Sequence, residues 1–420
     1  MKRVGIITIT GLGNYGNRLQ NYALQQAIEK ETDCKCETFI NKSCSTKGYI
    51  KKMLFPVSHK LTEREVKFKE FNDEFINFSN IKINNISKNK HLLDYDCLVC
   101  GSDQIWNSDF SENDKANFGY FYPNIKVISY AASFGTDSVA KNKQKKYKKY
   151  LKNLNAISVR EEKGKELVTQ LSARDDAFVH IDPTLLLTSS EWIKVEKKPK
   201  IYNDKKYVLK YFLGEQNDEV NSQLENYVKE HDLEIIDVIS PDSPYYNIGP
   251  SEFLYLERNA ELIVTDSFHS CVFALIFKRP FIVTERKEKA LKNMGSRLDT
   301  LLKKFDLENR KYDFESFKNI NSKKTDFENV EKILEQEKNK SFQYFKKYIY
   351  YIIVLGMAAI LCYVSFKLIV GPLVLRILIK MVVCSVITNI VFFIAFYKSR
   401  EMVVLKNIVI KVCKIIKKRG

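Results

Sequence analysis

Along the first 180 positions, apolar residues come in short unbroken blocks, separated by longer stretches where they return every three or four residues. The blocks Arg3–Ile9, Cys36–Ile40, Leu98–Cys100, Val127–Ala131, Ala156–Val159 and Phe178–Ile181 predict strands. The stretches Asn17–Lys30, Thr62–Phe78, Lys141–Leu154 and Glu161–Leu171 predict helices. Strands that are apolar throughout must be covered on both faces, so their alternation with amphipathic helices predicts a parallel, doubly wound sheet. A polar patch near Glu196–Lys206 interrupts the pattern, which then resumes. Tyr207–Phe212, Glu234–Val238, Leu262–Thr265 and Pro280–Val283 read as strands, and Asn217–Lys229, Glu252–Arg258, Phe268–Phe277 and Arg297–Phe305 as helices. The chain is therefore expected to be α/β, with two Rossmann-like domains in series over 1–182 and 183–340. Strand carboxyl ends would face a cleft between them, where ligands bind in such sheets.

Beyond residue 340 the pattern changes. Tyr348–Phe366 is 19 residues without a charge and Met381–Tyr397 is 17 more. About 20 apolar residues span a bilayer core, so a transmembrane hairpin is expected over 348–397, with spans at about 348–370 and 374–397 turning at Gly371-Pro372. Two buried core helices are the competing reading. In the tail, 398–420, Val404, Leu405, Ile408, Val409, Val412, Ile415 and Ile416 share one helical face, with Lys411, Lys414 and Lys418 opposite. That arrangement predicts a basic amphipathic helix lying on an anionic leaflet.

Charge sharpens this picture. The chain has 68 basic and 51 acidic residues, a net +17. Eight basic residues and one acid follow Tyr397, and three more basics lie between 367 and 380, so these two pieces carry ten of the seventeen. The excess flanks apolar segments, as on the cytoplasmic side of membrane proteins, and no nucleic-acid partner is expected. The Lys-rich run Lys141–Lys152 reads as the solvated face of a helix. Met1-Lys2-Arg3 leads into too short an apolar core for a signal peptide, which places the two α/β domains in the cytoplasm and the hairpin in the inner (plasma) membrane. The nine cysteines would then be reduced. Cys34, Cys36, Cys97 and Cys100 have no second pair or histidine cluster, so they read as buried thiols and no metal is expected.

Polar clusters mark four strand ends. Gly11-Leu12-Gly13-Asn14-Tyr15-Gly16 follows the first strand and fits the dinucleotide pattern G-x-G-x-x-G. That pattern also wants an acid at the end of the second strand. Here Glu37 lies early in the strand, and Asn41 stands at its end. Gly101-Ser102-Asp103-Gln104-Ile105-Trp106-Asn107 follows Cys100 and reads either as a sugar-facing edge with Trp106 as platform, or as a tight turn with an Asp cap. Arg160, where a strand passes into a helix, could hold a carboxylate or phosphate bidentately, or pair with Glu161 or Glu162. Thr265-Asp266-Ser267-Phe268-His269-Ser270 brings a helix N-terminus, suited to anions, together with a histidine able to transfer a proton. A capping or core histidine is the alternative there.

These clusters add up to a resemblance. Asn14-Tyr15-Gly16-Asn17-Arg18-Leu19-Gln20-Asn21-Tyr22-Ala23-Leu24-Gln25 resembles the N-terminal signature of the polysaccharide pyruvyl transferase family. The other motifs follow in the family's order: Gly101 to Asn107, Ser129 to Gly135, Ser158 to Glu161, Asp182-Pro183-Thr184-Leu185-Leu186, Asp266 to His269, and Gly295-Ser296-Arg297. Together they cover roughly residues 4 to 305, outside the expected membrane segments.

The resemblance implies a GT-B-like arrangement of the two domains, with acceptor on the first and donor on the second. It implies transfer of the enolpyruvyl group of phosphoenolpyruvate onto two hydroxyls of a sugar, lipid-linked or polymeric, with no metal and no cofactor beyond that donor. By motif matching, Arg160, Ser267, His269 and Arg297 would bind the donor, with His269, Arg160 and Asp103 catalytic. Asn14, Tyr15, Gly16, Ser102, Asp103, Gln104 and Trp106 are expected on the acceptor side. The chain departs from relatives that place Arg at position 267 and Gly at 270, where it has Ser267 and Ser270. A sugar-nucleotide glycosyltransferase and a non-catalytic membrane-associated binding protein are the competing classes.

Overall fold

A computed structural model describes residues 2–41, 60–84, 90–109, 114–121, 125–286, 296–320, 325–351, 362–363, 376–377 and 379–387. Residues 1–342 form one compact unit and 343–420 a second.

The first unit is built on parallel sheets. Strands β1 (Arg3–Ile7), β2 (Lys35–Asn41), β3 (Phe78–Ile83), β4 (Cys97–Cys100) and β5 (Val127–Ser129) lie in the order β3-β2-β1-β4-β5, every pair parallel. Bridges from Ile128 to Ala156 and from Ala132 to Val159 carry this sheet on to β6 (Ser158–Val159), which pairs with β7 (Phe178–Val179). Strands β8 (Tyr207–Tyr211), β9 (Glu234–Asp237), β10 (Leu262–Thr265) and β11 (Phe281–Val283) form a second parallel sheet in the order β11-β10-β8-β9. β1 and β4 are fully buried from Val4 onward, as expected for strands with helices on both faces.

Each sheet reverses its winding once, between β1 and β4 and between β8 and β10. The strand carboxyl ends at those two points leave crevices. The helix Tyr15–Thr32 starts at the first and the helix Phe268–Ile276 at the second. Tyr15 joins the first of these to the second half of the unit: its ring stacks on Phe253, on the helix Pro250–Asn259, at 4.3 Å between centroids, and its hydroxyl donates to Ile248 O. Cys36, Cys97 and Cys100 are buried free thiols on β2 and β4, and burial pushes Cys97 up to about 12.

In the second unit, Lys346–Tyr351 forms a π-helical turn and residues 379–387 are helical. Among the described residues no helix is long and apolar enough to cross a membrane. The expected spans at 348–370 and 374–397 lie mostly outside the described residues, and the expected amphipathic tail at 398–420 lies wholly outside them.

Candidate active site

The site begins at the end of β4. Gly101 has φ +126°, and a Cβ there would overlap the carbonyl oxygen of Tyr130, so the turn requires glycine. Three hydrogen bonds then pin Ser102: its N–H donates to Gln20 Oε1 (3.1 Å), Gln20 Nε2 donates to Thr8 Oγ1 (2.9 Å), and Thr8 Oγ1 donates to Ser102 O (3.2 Å). The Ser102 hydroxyl accepts from Arg160 Nη2 at 2.9 Å. Its own proton can go to Ala131 O (2.9 Å) or Asp182 Oδ2 (3.2 Å).

Arg160 leaves β6 with its side chain buried. Nη2 lies 3.1 Å from Asp182 Oδ2 and 3.5 Å from Asp103 Oδ1, whereas Nε and Nη1 are buried without a partner. The guanidinium sits 4.9 Å from the centre of the Phe268 ring, and that of Arg297 lies 5.9 Å from the same ring. Arg297 approaches Asp103 Oδ1 at 3.9 Å and, with the Gln104 amide oxygen turned toward it, donates to Gln104 at 3.0 Å. Burial and the neighbouring Arg160 charge bring Arg297 down to about 10, still cationic at neutral pH.

Arg18, on the helix Tyr15–Thr32, is also brought down to about 10 by burial, with Asp103 acting in opposition. It donates Nη2 to Ile9 O and leaves Nε and Nη1 buried without partners. Unpaired guanidinium donors in a buried setting are costly unless an anion completes them.

Asp182 is the central carboxylate. Oδ1 accepts from Thr184 N (3.0 Å) and Thr184 Oγ1 (2.6 Å), and Oδ2 faces Arg160, Ser102 and, at 3.7 Å, His269 Nε2. Burial alone would raise its proton affinity, but Arg160, His269 and Thr184 outweigh that and hold Asp182 well below the usual carboxylate range. His269, in the first turn of its helix, is buried, and at 3.7 Å its Nε2 makes no hydrogen bond. Its ring lies against Gly16, where a Cβ would overlap Nδ1.

The structure therefore brings His269, Arg160, Arg297, Asp103, Ser102, Gln104 and Gly16 together from both halves of the first unit. Other expected residues do different work. Trp106 is fully buried, stacked on Phe118 at 4.7 Å, with its indole N–H given to Asn117 O, so it offers no face to a sugar. Tyr15 is likewise spent in the core on Phe253. Asn14 caps its helix by accepting from Asn17 N. Asp103, within the assembled cluster, directs its carboxylate at Arg160, Arg297 and Gln104 N (2.9 Å).

Ser267 is the N-cap residue of its helix, with its own N–H given to Thr265 Oγ1 (3.0 Å). Beside it, Asp266 accepts from Leu213 N (2.7 Å), Gly214 N (2.9 Å), Gln216 Nε2 (3.2 Å) and Arg286 Nε (2.9 Å). The crevice of the second sheet is thus already filled by the protein's own carboxylate.

The glycines of the opening loop do not assemble a dinucleotide site. Gly16 serves His269, and Glu37 is engaged by Arg3 (2.7 Å) and Tyr95 (2.6 Å). Among the described residues, no group of three or more His, Cys, Asp or Glu gathers in a way that could hold a metal.

The description "polysaccharide pyruvyl transferase" belongs to the family model that matches residues 14–288, well over half of the chain and all of this site except Thr8 and Arg297. The chain belongs to that family. No curated protein matches it. Among solved structures, this family member is similar to the UDP-GlcNAc 2-epimerase of Neisseria meningitidis (11% identity, 81% of this chain and 100% of that one, TM-score 0.43). It is also similar to the UDP-GlcNAc 2-epimerase of Methanocaldococcus jannaschii (15%, 77% and 99%, TM-score 0.41) and to Acinetobacter baumannii MurG (9%, 82% and 98%, TM-score 0.38).

Thr8 lies outside the quoted motifs, and Asp182, Arg18 and Gln20 lie inside them without an expected role in the site; these four are the site residues that sequence reasoning did not assign. Asp182 carried a visible signal, an acid directly after the apolar block Phe178–Ile181 and before Pro183, and that pattern reads as a cap. Asp182 does cap Thr184 N with Oδ1, while Oδ2 serves the site.

Proposed function

We propose that this pyruvyl transferase family member moves the enolpyruvyl unit of phosphoenolpyruvate onto two hydroxyls of one sugar in a cell-surface polysaccharide or its lipid-linked precursor, giving a pyruvate ketal and free phosphate. The observation that carries this reading is the buried set of guanidiniums with unpaired donors. Arg18, Arg160 and Arg297 share the nearby buried carboxylates Asp103, Asp182 and Glu161, the last already accepting from Ser133 and the Phe134 and Gly135 amides, and four nitrogens of Arg18 and Arg160 have no partner. A small, multiply charged anion would complete them.

In this reading Arg160 and Arg297 hold the phosphate and carboxylate of the donor, over the Phe268 ring that backs both guanidiniums. His269 gives its proton to the methylene carbon, and the first sugar oxygen bonds to the adjacent carbon as positive charge develops there. The carbon–oxygen bond to phosphate then breaks and the second hydroxyl closes the ketal. One hydroxyl proton replaces the one His269 gave up, and the other leaves with phosphate. No further base is needed, in keeping with Asp103 being engaged by arginines.

The same reading places the catalytic unit at the cytoplasmic face of a membrane, supported by the uncharged stretches Tyr348–Phe366 and Met381–Tyr397. There it would meet lipid-linked acceptors. Against a nucleotide-sugar donor stands Asp266, whose carboxylate already takes the amides of Leu213 and Gly214 where a phosphate would otherwise sit. The test is incubation of the full chain with phosphoenolpyruvate and a panel of lipid-linked sugars, following phosphate release. Acceptor-dependent release is expected. Acceptor-dependent release of a nucleoside phosphate from a nucleotide sugar, or thermal protection by a nucleotide sugar and not by phosphoenolpyruvate, would overturn the reading.

A further inference from the structure

Asp182 belongs to no strand or helix of the two sheets, yet it is the carboxylate on which the two halves of the site meet. Its side chain is fully buried. Oδ1 is fixed twice by Thr184, and Oδ2 is shared among Arg160 Nη2 from the β6 end (3.1 Å), Ser102 Oγ from the β4 end (3.2 Å) and His269 Nε2 from the second sheet (3.7 Å). His269 itself faces Asp182, on the segment after β7, and Gly16 on the opening helix; Asp182 links it to Arg160 after β6 and Ser102 after β4, with Asp103 beside Arg160 and Arg297 sharing the Phe268 ring with Arg160. Among the described residues, Asp182 is the acid within ion-pairing distance of both Arg160 and His269.

A group fixed so firmly at one oxygen and shared so widely at the other sets where its neighbours sit. It also competes with any incoming anion for Arg160. We propose that Asp182 is the positioning residue of this site: it holds the Arg160 guanidinium and the His269 imidazole in one fixed relation across the two sheets, at the expense of donor affinity. This inference rests on the reading of the site as a phosphoenolpyruvate transferase for its kinetic consequences, but not for the pairing itself.

The two consequences have opposite signs. Removing the charge in Asp182→Asn frees Arg160 to bind an anion more strongly, while leaving Arg160 and His269 without a common reference. Turnover per folded molecule should fall at least thirtyfold, while phosphoenolpyruvate and inorganic phosphate bind three- to tenfold more tightly by calorimetry. A merely structural role would weaken binding and turnover together, and that result would overturn the proposal.

The pairing is read separately in urea unfolding of the full chain, as a double-mutant cycle with Asp182→Asn and Arg160→Met. The double variant should lose less than the sum of the singles, and strict additivity would overturn the proposal whatever the substrate. If wild-type protein binds neither anion and turns over nothing, the functional reading fails, and the unfolding cycle still decides the role of Asp182.

Discussion

The imidazole of His269 rests on the bare Cα of Gly16, so that any side chain at residue 16 would occupy the space of Nδ1. Glycine within the first turn of a helix weakens it by about 1 kcal/mol relative to alanine. Here it is required by a residue more than 250 positions away. Gly16→Ala should therefore improve the local helix and still damage the site. We expect turnover to drop at least tenfold with the far-ultraviolet circular dichroism spectrum unchanged. Steady-state kinetics against wild type check this, and unchanged turnover would remove His269 from its assigned place.

Arg160 tests the donor pocket. Arg160→Lys keeps a positive charge but loses the planar fork, so it cannot reach Ser102, Asp182 and the donor together. The expected result is a rise in the phosphoenolpyruvate KM of ten- to a hundredfold. A KM within twofold of wild type would show that the guanidinium does not hold the donor.

Trp106 separates a packing role from a sugar platform. Because it stacks on Phe118 and meets Phe134 edge-on with no exposed face, Trp106→Ala should cost about 3–5 kcal/mol of stability by the usual measure for large core aromatics. Trp106→Phe should fold and keep the acceptor KM within about twofold. A selective rise in acceptor KM in the Phe variant would restore the platform role.

The pH dependence of stability has a named source in His180. It is buried beside Tyr130 and bonded to Ser158 Oγ (2.8 Å), and burial pushes it down to about 4. Between about pH 6.5 and 4 the unfolded chain takes up a proton that the folded one refuses, so stability falls on acidification through that window. By pH 5 the loss from this group is about 2 kcal/mol. The unfolding free energy of His180→Gln should decline less than that of wild type between pH 7.5 and 5. Parallel declines in denaturant titrations would show that His180 is not the source.

Much of this architecture is legible in the sequence because parallel strands buried on both faces are continuously apolar. Leu262–Thr265 is found at its expected bounds, and the helices near residues 141, 162, 218 and 268 differ from their expected ends by at most one residue. Among the helices Phe327–Phe345 is the clear miss, and among the strands the edge strand β3. Its Ser79, Asn80 and Lys82 alternate with Ile81 and Ile83, and half of its positions are polar or solvent-facing, so the apolar run that marks the central strands is missing. The expected helix Thr62–Phe78 consequently runs three residues too far, ending in the structure at Phe75.

The site divides the same way. Strand ends carrying Asp103, Arg160 and His269 are readable one at a time, because each polar cluster interrupts an apolar block. What meets what is not readable, since Ser102, Arg160, Asp182 and His269 come from four separate strand ends and two sheets. Tyr15 and Trp106 were misplaced for the opposite reason. An aromatic residue in a polar loop looks available to a ligand, and only the packing of Phe253 and Phe118 over it shows otherwise.

Asp266 carries one more consequence. A carboxylate attached to the chain and held by two backbone amides, Gln216 and Arg286 need not be recruited from solution, so it competes for those donors at a high effective concentration. A dissolved phosphate compound entering this crevice meets donors already taken by a tethered carboxylate, while guanidinium nitrogens of Arg18 and Arg160 still lack a partner.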